Sequence, residues 1–114
     1  MRTNVTTRSL SAELLDLVAQ RFKALAEPVR LQILDRLRHG EMTVGELVDA
    51  TGLGQANVSK HLGILLGHGF VARRKEGLYV YYALADARVF RLCDLMCARI
   101  ESELTARQKA LALP

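Results

Sequence analysis

Between Thr43 and Leu65 two runs of helical periodicity are separated only by Gly52-Leu53-Gly54, and three residues with two glycines leave room for a tight turn and nothing else. The first run opens with Thr43-Val-Gly-Glu46, a capping box in which each side chain satisfies the other residue's backbone N–H. Its packing face is Leu47, Val48 and Ala50. The second run begins at Gln55 and turns Val58, Leu62 and Leu65 inward at i, i+4 and i+7. Two short helices joined in this way form a helix-turn-helix.

The flanks extend the pattern. Leu14, Leu15, Val18, Phe22 and Leu25 predict a first helix, started by Ser9 or Ser11 as a cap. Pro28 suits the first turn of a second, whose stripe is Val29, Leu31, Ile33, Leu34 and Leu37 and which ends at Gly40. Beyond Gly67 and Gly69, the runs Phe70 to Lys75 and Leu78 to Leu84 surround Glu76-Gly77 and read as a hairpin. Leu78, Val80, Tyr82 and Leu84 are expected on its packing face, with Tyr79 and Tyr81 opposite. Asp86 can cap a long last helix with apolar positions at Val89, Phe90, Cys93, Met96, Cys97, Ile100 and Leu104. The order is α-α-α-α-β-β-α, mainly helical with a small β-hairpin, which is the winged helix-turn-helix plan. Residues 1–9 lack periodicity and read as a flexible arm, and 10–114 as a single domain.

With 114 residues, half of them apolar, the chain can bury one core. Its net charge of +4 favours an anionic partner, nucleic acid first. No apolar run approaches a membrane span and the first residues lack a signal-peptide core, so a cytoplasmic location is expected. The two cysteines sit four apart in one helical pattern, unlike a disulfide framework. No phosphate-binding glycine loop, nucleophile elbow or zinc-hydrolase motif supports an enzyme.

Chemistry concentrates in two places. On the fourth helix, Ala56, Lys60, Gly63 and Gly67 lie opposite the buried face, flanked by Asn57 and Ser59, small enough for a helix to enter a major groove. Gln55, Asn57 and His61 can hydrogen-bond base edges, while Ser59 and Lys60 can take phosphates or bases. His61 lies about 60° from Val58 and could equally bond within the domain. On the hairpin, Arg73, Arg74 and Lys75 before the turn and Tyr79 after it could meet phosphate or a minor groove, or the cations could simply guard a strand edge. A wing contact by Arg74 would make its alanine variant's binding less salt-dependent. The last helix carries more apolar surface than a small core can cover, so a two-fold dimer is expected at Leu14, Val18, Val89, Cys93, Met96, Cys97, Ile100 and Leu104.

Three blocks, Leu25-Ala-Glu-Pro28-Val-Arg-Leu-Gln-Ile-Leu34, Gly52-Leu53-Gly-Gln55-Ala-Asn-Val58-Ser59-Lys-His61-Leu62 and Gly77-Leu-Tyr-Val-Tyr-Tyr82-Ala-Leu84, resemble the ArsR/SmtB family over about residues 11–105. The resemblance implies a homodimeric repressor that leaves double-stranded operator DNA when an inducer binds. Gly54 departs from the serine usual at the start of the recognition helix. At positions matching the family's zinc site stand Asp86, Arg88, Arg99 and Ser102, and arginine has no lone pair for a metal. The family's Cys-x-Cys site falls on Gly45 to Thr51, which lacks thiols. There remain Cys93 and Cys97, on one helix face, which could hold arsenite or a soft metal ion, respond to an oxidant, or serve only as packing. A winged-helix module that binds another protein instead of DNA is the alternative reading.

Overall fold

Each early helix starts at a residue that occupies amides with no intrahelical partner. In a computed structural model, which describes residues 9–112, α1 (Ala12–Leu25) begins at Ser11, whose Oγ accepts from the Leu14 N–H at 3.1 Å. Glu27 accepts from the Val29 N–H ahead of α2 (Pro28–Leu37), with Pro28 at the first helical position. The chain then passes through β1 (Met42–Thr43) into α3 (Val44–Thr51), where both bonds of the capping box form: Glu46 N–H to Thr43 Oγ1 at 3.1 Å, and Thr43 N–H to Glu46 Oε1 at 2.9 Å. Next come α4 (Gln55–Gly67), β2 (Val71–Glu76), β3 (Tyr79–Leu84) and α5 (Val89–Ala112). Most of the expected N-terminal arm, residues 1–8, lies outside the described residues.

The core joins Ile33, Leu34 and Leu37 of α2 with Leu47 of α3, Val58, Leu62 and Leu65 of α4, Val71 of β2, and Val89 and Phe90 of α5. Four elements thus converge on α4 from behind, and each fully buried leucine or isoleucine contributes about 1.5–3 kcal/mol over its exposed state. No helix among the described residues is long and apolar enough to cross a membrane.

The structure departs from the sequence reading at three points. The hairpin is part of a three-stranded antiparallel sheet in the order β1-β3-β2, with Met42 opposite Tyr82 and Thr43 opposite Tyr81. A two-residue strand carries no period-two signal, and Thr43 serves both elements because a helix N-cap already has extended backbone, here φ −79° and ψ 166°. Leu78 is not on the packing face. Glu76 pairs with Tyr79, which leaves Gly77-Leu78 as a two-residue turn; Gly77 takes φ 60° at its first position and Leu78 stands 97% exposed at the tip. Val89, expected at a dimer seam, lies in the chain's own core, because α5 begins by anchoring there before it runs outward.

Candidate nucleic-acid interface

The turn before α4 is held by one hydroxyl. Thr51 Oγ1 donates to the Leu47 carbonyl at 2.7 Å and accepts from the Leu53 N–H at 3.3 Å, while Gly52 takes the left-handed conformation, φ 73°, that ends α3. Leu53 packs against the core and so fixes where α4 starts. Gly54 brings no side chain to the first-turn amides of α4.

With Val58, Leu62 and Leu65 buried, the opposite side of α4 shows Gln55, Ala56, Asn57, Ser59, Lys60, Gly63 and Gly67, all exposed. Small and hydrogen-bonding groups make up this face, with one cation at Lys60. His61 is not among them. It shares the buried side at i+3 from Val58, is 7% exposed, and its Nδ1 lies 3.1 Å from NH1 of Arg30 on α2. Of the two roles open to His61 from sequence, the geometry is that of a bond within the protein. Burial first, and then the charge of Arg30, hold its pKa below the ordinary histidine range.

The sheet sorts the hairpin cations by face. Arg73 and Lys75 lie opposite Tyr82 and Val80, on the side that carries the buried Val71 and so faces the helices. Both are exposed, and among the described residues neither forms an ion pair. Arg74 belongs to the other face. Its Nε donates to Glu41 Oε2 at 2.9 Å, NH2 donates to Oε1 of the same carboxylate, and NH1 lies 3.4 Å from Glu76. Its guanidinium also sits over the Tyr81 ring, 4.7 Å from the centroid. The hydrogen bond from Arg74 holds the Glu41 carboxyl below its usual pKa. These bonds tie the half-exposed Arg74, and with it the wing, to the α2–β1 loop. Tyr79, 6.4 Å from Tyr81 between ring centroids, is exposed beside the tip.

Sequence reasoning missed Glu41 and Arg30. Glu41 and Arg74 are 33 positions apart, and no local pattern joins them. Arg30 did carry a signal, a cation placed one turn after the end of α1, where helix carbonyls lack partners.

Away from this surface, α1, α2 and α5 border an open apolar groove of about 470 Å³. Its walls include Phe22, Leu25, Leu31, Met96 and Ile100, together with Cys93 and Cys97. Of the remaining seam residues, Leu14 and Val18 are half-buried and Leu104 is exposed. Both cysteines are unbridged, Cys93 half-buried and Cys97 exposed; burial pushes the Cys93 thiol up. Two thiols on one helix face suit a soft ion of low coordination, and no group of three or more histidine, cysteine or acidic side chains fit to hold a metal occurs among the described residues. A zinc site at Asp86 does not fit: Arg88 Nε and NH2 donate to its carboxylate at 3.0 and 2.7 Å.

The sequence pattern of a helix-turn-helix domain matches residues 25–74. A probable mercury resistance operon repressor of Streptomyces lividans is 40% identical over 80 residues, 70% of this chain and 64% of its own length, just under two thirds. The biofilm growth-associated repressor of Xylella fastidiosa is 37% identical over 79 residues, 69% of each chain. Among solved structures, the homodimeric winged helix-turn-helix DNA-binding domain of a possible ArsR-family regulator of Mycobacterium bovis, fragment 1–100, superposes with a TM-score of 0.73 at 39% identity, covering 89% of this chain and 94% of that one.

Proposed function

The chain belongs to the ArsR/SmtB family of winged helix-turn-helix regulators, and from that premise we propose that it is a homodimeric repressor that binds operator DNA. The observation that carries this reading is the exposed face of α4, small and polar from Gln55 to Lys60, beside a wing whose Arg73 and Lys75 point to the helical side of the sheet uncompensated. Gln55, Asn57 and Ser59 read base edges or hold phosphates, Ala56 allows close approach, and Lys60, Arg73, Lys75 and Tyr79 contact the backbone. His61 and Arg74 support these residues from behind. The Mycobacterium bovis domain is homodimeric, and the uncovered apolar side chains of α1 and α5 here give a second copy its seat.

For the inducer, the reading is a thiophilic metal ion or metalloid at Cys93 and Cys97. The name of the Streptomyces lividans relative refers to mercury resistance, and soft thiolate ligands select soft ions. Binding there would displace the thiol protons and disturb the seam between α5 and α1.

Selection from a random duplex library tests the first part. An imperfect palindrome with half-sites about one helical turn apart is expected, with affinity falling linearly in log–log with salt. No preference for any duplex over heparin would overturn it, and would favour the protein-binding module. For the second part, mercuric ion or arsenite should release the selected duplex from the wild type but not from the Cys93→Ser/Cys97→Ser double variant. Equal release from both excludes the cysteines.

A further inference from the structure

One side chain of α2 joins the end of α1 to the exposed helix α4. Arg30 donates from Nε to the Ala24 carbonyl at 2.6 Å and from NH2 to the Lys23 carbonyl at 3.3 Å, and its NH1 meets His61 Nδ1 at 3.1 Å. Lys23 and Ala24 lie in the last turn of α1, which carries the helix's partial negative charge; the Lys23 carbonyl also accepts from the Ala26 N–H at 3.1 Å. The guanidinium is drawn to that end whatever α4 does, and its third arm is left for the imidazole. Because a guanidinium stays protonated and can only donate, Nδ1 is the bare nitrogen, and the neutral ring keeps its proton on Nε2.

Among the described residues this is the one side-chain hydrogen bond between α4 and another helix. The other contacts behind α4 are those of Val58, Leu62 and Leu65, and apolar burial has no directional preference. Such packing and the turn at Leu53 hold α4 against the core. A bond from a fork already fixed to α1 adds a directional tie at the middle of the helix.

We infer that Arg30 and His61 are positioning residues, a latch that sets the pose of α4 against the end of α1 and that opens when His61 takes up a second proton. The latch rests on the reading that α4 faces DNA only for its effect on affinity; the bond itself does not. Protonation removes the lone pair that Arg30 donates to and places two cations at hydrogen-bond distance. Of the charged groups acting on the ring, Glu27 at the start of α2 favours the cation, while Arg30, and Lys60 on the ring's own helix, oppose it. With burial and Arg30 holding the ring neutral, the latch is closed at neutral pH and opens on acidification.

The sign of the pH response separates this role from a DNA contact. A histidine touching the duplex would bind more tightly once charged, since phosphate stabilises the cation; a latch histidine would bind more weakly. Operator affinity measured at constant salt should fall several-fold from about pH 8 to about pH 5.5, by less than about tenfold for each latch because the folded-state pKa of His61 lies below its ordinary value. The variant His61→Asn places an uncharged acceptor close to the Nδ1 position; it should bind as wild type does at the upper pH and lose the acid dependence, while His39 and His68 remain as internal controls. Arg30→Gln should weaken binding throughout and flatten the profile. Tighter wild-type binding in acid, or an undiminished acid loss in His61→Asn, overturns the latch. Imidazole nitrogen NMR of the wild-type protein without DNA should find Nδ1 unprotonated at neutral pH and a titration that moves toward that of an ordinary histidine in Arg30→Gln. A proton on Nδ1 overturns the latch by itself, whereas a bare Nδ1 in a protein that binds no duplex upholds the latch and counts against the regulator reading alone.

Discussion

Arg73, Arg74 and Lys75 are three consecutive cations at a wing, and the structure makes them unequal in a way that salt can measure. Arg74 lies between Glu41 and Glu76, so this group of three carries a single net negative charge before DNA arrives. Arg73 and Lys75, on the other sheet face, have no such compensation. If each neutralises one phosphate, its removal makes the log–log salt slope shallower by about 0.9, or about 1.8 for the two wings of a dimer. Arg73→Ala and Lys75→Ala should each show that change in fluorescence anisotropy titrations of a labelled operator across a salt series. Arg74→Ala should move the slope by less than half as much, its affinity loss arising from a loosened wing and therefore persisting at high salt. The reverse perturbation sharpens the test: Glu41→Gln deletes a negative charge while its amide oxygen can still accept from Arg74 and hold the wing, so binding should tighten. A slope change in Arg74→Ala as large as that in Arg73→Ala would refute the reasoning.

Other consequences are simpler to check. Leu62→Ala empties a fully buried site at the centre of the core and should cost about 2–5 kcal/mol in urea unfolding. Thr43→Ala removes one half of the capping box and should cost about 1 kcal/mol by the same measurement. Because the folded-state pKa of His61 lies below its ordinary value of 6.5, the unfolded chain takes up that proton first; the contribution to stability is complete above about pH 6.5 and is lost as pH falls toward the folded value, and thermal melts of His61→Asn should lack that part of the acid loss. Ile100→Glu puts a carboxylate into the apolar surface between α1 and α5 and should shift sedimentation toward monomer, with a steep loss of operator affinity. An intact dimer in that variant would mean that the seam lies elsewhere.

The parts of the fold that were legible in sequence are those where one local rule acts alone. Thr43 and Glu46 form their box because four adjacent residues are sufficient for it, and Val58, Leu62 and Leu65 are buried because their spacing permits nothing else on one face. Where two rules compete, sequence leaves a choice. His61 satisfies both the inward spacing and the chemistry of a base contact, and only Arg30, 31 positions away, decides between them. Arg74 presents the same difficulty, since Glu41 becomes its neighbour only when β1 pairs with β3, and β1 is too short to be seen as a pattern. Long-range electrostatic partners are set by topology, so the candidate site was visible as a cluster of residues but not in its division between those that face outward and those that hold them.

That division has a mechanical consequence at α5. Its first turn is fixed within the chain's own core by Val89 and Phe90, with the Arg38 guanidinium 3.8 Å from the Phe90 ring centroid and 3.6 Å from Asp94. From Leu95 onward the apolar side chains Met96, Ile100 and Leu104 are exposed along a helix that spans about 36 Å in all. In the proposed dimer, α5 is then a lever anchored at one end in each subunit and seated at the other on its copy, and the distance between the two α4 helices depends on the angle it makes with α1. Major-groove half-sites lie at fixed intervals of about 34 Å, so a small change in that angle carries α4 out of register with the second groove. Cys93 follows the anchored turn and Cys97 lies at the beginning of the exposed stretch, both bordering the groove between α5 and α1. A soft ion bound there need not reach the DNA-facing surface to release the duplex. Tilting the lever would be sufficient, since the two α4 helices enter successive grooves only when their spacing matches the duplex.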